Sequence, residues 1–115
     1  MRSQRLYLRD LLDALDAAVG FVEGRTFEQF EGDLMAQFAV ARALEIVDEA
    51  TRALSPELKA RYPEVPWRLM QALRNRLAHV YFGTNLNIVW KTVTESVPAT
   101  RPLVARVLAE LPPDA

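Results

Sequence analysis

An all-α, antiparallel helical bundle is the fold class this sequence predicts, on three observations. Apolar residues recur at spacings of three and four along each long segment. Sustained alternation of period two is absent. Prolines, capping residues and a glycine stand where helices should start or stop. Leu8, Leu11, Leu12, Leu15, Ala18, Val19 and Val22 place one apolar stripe on a first helix, with Gly24 as its stop. Thr26-Phe27-Glu28-Gln29 has the pattern of a capping box, so a short helical turn should follow. Asp33 is placed to cap a second long helix running to about Leu54. Its apolar side carries Leu34, Phe38, Ala41, Leu44, Val47, Ala50 and Leu54, while Arg42, Glu45, Asp48, Glu49 and Arg52 supply charge. Ser55-Pro56 is a cap followed by proline at the first helical position, starting a short piece that Pro63 ends. Pro66 opens a third substantial helix with Leu69, Met70, Leu73 and Leu77 apolar and Gly83 just past its end. Asn85 or Asn87 begins another, carrying Leu86, Val89, Trp90, Val93 and Val97, and Pro98 closes it. Thr100 and Pro102 start a last helix with Leu103, Val104, Val107, Leu108 and Leu111. The short connections make sequential helices antiparallel neighbours. Trp67 and Trp90 read as core anchors.

A chain of 115 residues fits one domain, residues 1–115, and leaves no room for a second independent core. Half the residues are apolar, yet so small a domain buries a modest share of its surface, a shortage that a homodimer relieves. With no cysteine, neither a disulfide framework nor a thiolate metal site is possible, and a single histidine argues against a histidine-rich metal centre. No metal or other cofactor is expected. Met1-Arg2-Ser3-Gln4 runs straight into a helical pattern without a basic-then-apolar signal segment, and no apolar run could span a bilayer. A cytoplasmic location away from the membrane is the expectation. The net charge is −1, from 14 basic and 15 acidic side chains. Proteins that coat nucleic acid usually carry a basic excess, because phosphate neutralisation supplies the affinity. Any contact with RNA must therefore be local.

The stretch that carries chemistry is Arg74-Asn75-Arg76-Leu77-Ala78-His79-Val80-Tyr81-Phe82-Gly83. It sets the one histidine beside two arginines, an asparagine and a tyrosine. Cleaving RNA without a metal needs a group that moves protons near neutral pH and a fixed cation for the phosphate oxygens. Histidine suits the first task and arginine, with its planar fork, the second. Asn75 could orient the imidazole or the phosphate. On an ideal helix Asn75 and His79, four apart, share a face, whereas Arg74 and His79, five apart, point roughly 140° from one another. They meet if the helix loosens near His79, or if a second subunit completes the site. The same residues also fit a bland reading, in which His79 complements the helix dipole or caps the last carbonyls, and Arg68, Arg74 and Arg76 are a solvated face. Residue chemistry alone leaves both readings open.

The pattern Arg-x-x-x-x-His-x-Tyr, here Arg74, His79 and Tyr81, resembles the signature of HepT-like toxins in the HEPN superfamily. Tyr7–Leu12, Phe27–Phe30, Arg42–Val47, Tyr62–Trp67 and Ile88–Trp90 resemble the same family in order and spacing, so the likeness covers nearly the whole chain. It implies the HEPN helical bundle, dimerised so that two copies of the motif line one cleft. It further implies metal-independent endoribonuclease activity, with His79 as general acid or base, Arg74 as the phosphate-binding stabiliser, and Asn75 and Arg76 as supporting polar groups. The implied partner is a minimal nucleotidyltransferase antitoxin (MntA-like) of a type VII-like toxin–antitoxin pair, which transfers AMP to Tyr81. Val80 stands where many members have a polar or acidic residue, and Ala72 where glycine is common; both leave the motif intact. The alternative is a non-catalytic HEPN module that binds nucleotide or protein and serves a nucleotidyltransferase. The Arg74–His79 pair favours the enzyme, and the near-neutral net charge favours the module.

Overall fold

In the computed structural model, residues 2–77 and 85–113 are described, except for the side chain of Arg74. These residues are helical, in the order α1 (Gln4–Val22), α2 (Phe27–Glu31), α3 (Leu34–Ala53), α4 (Pro56–Arg61), α5 (Trp67–Gln71), α6 (Leu73–Leu77), α7 (Leu86–Lys91) and α8 (Val97–Glu110). A π-helical turn, Thr92–Ser96, joins α7 to α8. Among the described residues no strand occurs, and no helix is long and apolar enough to cross a membrane.

Helix starts follow the capping chemistry of the sequence. Ser3 accepts from the Leu6 N–H, Ser55 from that of Leu58, and Thr26 and Gln29 form a complete capping box. Asp33 accepts from the Ala36 N–H at 3.0 Å and from Arg25 at 2.7 Å. These two contacts, the backbone bond foremost, hold its carboxyl below the usual carboxylate range. Gly24, at φ +75°, takes the left-handed turn that ends α1.

Helix α1 lies at the centre. The Ser55 N–H donates to Gln4 Oε1 at 2.7 Å, tying the start of α1 to the end of α3. Arg5 reaches the Leu108 carbonyl, tying the same end to the end of α8. Both neighbours therefore run antiparallel to α1. Leu8, Leu11, Leu15 and Ala18 of α1 meet Val40, Ala41, Leu44 and Val47 of α3, and Val104 and Val107 of α8, all essentially without exposure. Truncating any one of these leucines to alanine typically costs ~2–5 kcal/mol.

Four expectations are corrected. Pro98 does not end a helix: α7, the π-turn and α8 form one continuous rod in which Pro98 stands in the first turn of α8 and Pro102 lies inside it. The turn widens to i→i+5 bonding just before Pro98, with the Val97 N–H donating to the Thr92 carbonyl. Thr92 and Thr94 hydroxyls donate to the Ile88 and Trp90 carbonyls at 2.7 and 2.6 Å, supplying further donors where the ladder is irregular. The helix opened by Pro66 is broken at Ala72, which separates α5 from α6; its expected end at Gly83 lies outside the described residues. Leu34 and Phe38 are exposed rather than buried. Asp48, expected among the surface charges, has no exposure at all.

Candidate active site

The arginine-rich half of the motif sits on α6. Leu73 and Leu77, four apart, are buried and hold α6 against α3, while Asn75 and Arg76 are exposed on the outer side. Arg74 belongs to the same helix. His79 and Tyr81 lie outside the described residues, as do Ala78, Val80, Phe82 and Gly83. The shared face expected for Asn75 and His79, and the meeting of His79 with Arg74, thus remain expectations.

Three contacts position the limb formed by α5 and α6. At its start, the Trp67 indole N–H is shared between the Lys59 and Tyr62 carbonyls, at 3.1 and 3.0 Å, which pins α5 to the end of α4. In its middle, buried Met70 packs on α3, with the Thr51 hydroxyl 3.9 Å from its sulfur. At the Ala72 break, Arg52 of α3 donates to the Gln71 carbonyl at 2.5 Å, while its Nε pairs with the fully buried Asp48 one turn earlier. The break frees the last carbonyls of α5 from helical donors, and Arg52 supplies one. Asp48 thereby fixes the cation that fixes the break immediately before Arg74.

Sequence reading missed this Asp48–Arg52 clamp, although a signal was present. Asp48 stands four residues after buried Leu44 and three before buried Thr51, inside the apolar stripe of α3. A carboxylate there needs a partner, and Arg52 at i+4 is the first available.

Beside the limb, Lys59 donates to the Thr51 carbonyl at 3.1 Å. Burial, and secondarily the nearby Arg52 guanidinium, lower its pKa below that of an ordinary lysine. Among the described residues, no cluster of three or more histidine, cysteine, aspartate or glutamate side chains is arranged as a metal site.

Comparison with known proteins gives a consistent answer. The family model described as "Ribonuclease HepT-like" matches residues 11–107, a span that includes the whole Arg74–Tyr81 motif. The chain is similar to "Probable ribonuclease HepT" of Thermococcus cleftensis, 41% identical over 100 residues, or 87% of this chain and 91% of that protein. It is also similar to "Putative RNase MJ1380" of Methanocaldococcus jannaschii, 37% identical over 84% of this chain and 89% of that one. A third relative, "Putative RNase TTE0752" of Caldanaerobacter subterraneus, is 33% identical over 94% of this chain and 96% of its own length. No solved structure matches.

Proposed function

The chain belongs to the HepT-like ribonuclease family, and from that premise we propose that it is a metal-independent endoribonuclease acting through Arg74 and His79. The observation that carries the reading is the span of the family match, which runs through an intact Arg-x-x-x-x-His-x-Tyr motif. In the proposed reaction a ribose 2′-hydroxyl attacks the adjacent phosphorus, His79 moves the proton, and the bond to the next 5′-oxygen breaks. The products are a 2′,3′-cyclic phosphate and a 5′-hydroxyl end. Arg74 neutralises the phosphate oxygens while charge builds on them. Asn75 and Arg76, both exposed on α6, support the bound strand. The pair is completed across a homodimer cleft, a reading supported by the poor fit of Arg74 and His79 to one face of a single helix.

The proposal extends to control. A nucleotidyltransferase partner of a type VII-like toxin–antitoxin pair attaches AMP to the Tyr81 phenol, releasing pyrophosphate from ATP. The phosphodiester charge and the adenine then compete with RNA for Arg74.

Purified protein should cut single-stranded RNA in excess chelator. His79→Ala and Arg74→Ala should each lower the rate by ~10²–10⁴ while leaving helicity intact. Cleavage that stops with chelator, or survives His79→Ala, removes the mechanism. Tyr81→Phe should remain active and escape silencing by the partner enzyme with ATP and magnesium; silencing of that variant moves the switch elsewhere.

A further inference from the structure

Positive charge is concentrated in one stretch of this near-neutral chain. Residues 59–76 contain Lys59, Arg61, Arg68, Arg74 and Arg76 against the single acid Glu64, although the whole chain carries −1. Outside that stretch Arg2, Arg25, Arg42, Arg52, Arg101 and Arg106 each sit on a carboxylate, while Arg5 donates to the Leu108 carbonyl and Arg9 makes no ion pair among the described residues. Among the described residues, Arg61, Arg68 and Arg76 make no such pair. Between α4 and α5 lies a groove of about 490 Å³. Lys59 and Arg68 line it, together with Ala60, Val65, Trp67 and Gln71.

We propose that this groove holds the phosphodiester backbone of a single RNA strand flanking the scissile bond, with Lys59 and Arg68 as its phosphate contacts. The proposal rests on the ribonuclease reading and names where the substrate lies beyond the cut.

The groove and Arg74 share the limb formed by α5 and α6. Arg68 on α5 precedes Arg74 and Arg76 on α6 by six and eight residues, across the Ala72 break. A strand seated at Arg74 that continues toward α4 meets Arg68 and then Lys59. The lining between the two cations carries no carboxylate to repel phosphate. Lys59 and Arg52 also repel one another, and an anion seated beside Lys59 relieves that repulsion. Trp67 is buried, which leaves little ring face for a base to stack on, so backbone charge governs the groove and recognition there is insensitive to sequence.

The test uses the full chain and a 2′-O-methyl oligonucleotide, which lacks the attacking hydroxyl and cannot be cut. Its affinity is measured across salt concentrations for the wild type, Arg68→Gln, and Lys59→Gln with Arg68→Gln. Losing two phosphate contacts should flatten the slope of log affinity against log salt by about 1.4, since each single-strand contact contributes ~0.7. On cleavable RNA the double variant should raise KM and leave kcat unchanged. Arg68 is exposed, so Arg68→Gln alone keeps the test alive if the double variant folds poorly; it should flatten the slope by ~0.7. Unchanged affinity and slope overturn the groove and leave this face to an acidic protein surface. A wild type that binds the oligonucleotide through the groove but cuts no RNA overturns the ribonuclease reading instead. A wild type that neither binds nor cuts overturns both.

Discussion

Asp48 keeps a carboxylate where water does not reach, and its partner Arg52 is half-exposed. Such a pair is worth little as a source of stability, but removing one member leaves the buried charge without that compensation. Arg52→Ala should therefore destabilise the fold by about 1.5–3 kcal/mol, the range for a hydrogen bond to a charged group, measured by urea unfolding. The same variant removes the donor at the Gln71 carbonyl. Ribonuclease activity should fall under conditions where the variant is fully folded, because the limb bearing Arg74 loses its anchor at Ala72. Full activity in a folded Arg52→Ala protein would show that the clamp serves stability alone. Residue type alone hides this role: aspartate on a long helix is usually a solvated charge, and only its place in the apolar stripe marks Asp48 as different. The site itself was legible in the opposite way. Arg74, Asn75, His79 and Tyr81 stand out by their types and spacing, while the packing that holds α6 depends on α3, far away in sequence.

At the scale of elements, local chemistry was readable and accommodation was not. Ser3, Thr26, Asp33 and Ser55 begin helices because each offers an oxygen to a backbone N–H that has no helical acceptor. Proline reads as a stop because it lacks an N–H and crowds the preceding turn, and that rule failed at Pro98. A hint lay in the spacing of buried Val89, Val93 and Val97. Two successive steps of four carry the stripe ~80° around an ideal helix, and a π-turn winds it back toward the core. Pro102, exposed inside α8, has no such widened turn around it. Pro102→Ala restores a helical donor on the solvent side and should stabilise the protein by about 1 kcal/mol or more. A calorimetric scan reads this as a higher Tm; a lower one would mean that the ring is part of the packing.

The whole molecule leaves Leu34, Met35 and Phe38 exposed on the first turns of α3, Met35 at 81%. The apolar pattern of the sequence assigned Leu34 and Phe38 to the core because periodicity does not reveal whether a stripe is covered by its own chain or by another copy. Likewise, nothing in the spacing indicates that α1 lies between α3 and α8; Gln4 meeting Ser55 and Arg5 meeting Leu108 are long-range events. If the homodimer proposed above buries this end of α3, Leu34 and Met35 are the residues that test it. Light scattering at micromolar concentration should give twice the chain mass. Leu34→Lys with Met35→Lys should shift it toward the single-chain mass and cost ribonuclease activity, without loss of helicity. A wild-type monomer with full activity would rule out a site composed from two copies.

The two indoles add an optical consequence. They are the only tryptophans in the chain, and they stand on either side of the motif. Trp67 is hydrogen-bonded at the root of α5, and Trp90 rests with its ring centre 5.4 Å from that of Phe30 and 6.0 Å from that of Phe27. With one replaced by phenylalanine, the emission of the other reports on a single junction. Trp67 follows the seating of the arginine limb on α4, and Trp90 the seating of α2 on α7. The molecule thus carries two native fluorophores with which loosening ahead of the motif can be told apart, in time and in amplitude, from loosening behind it.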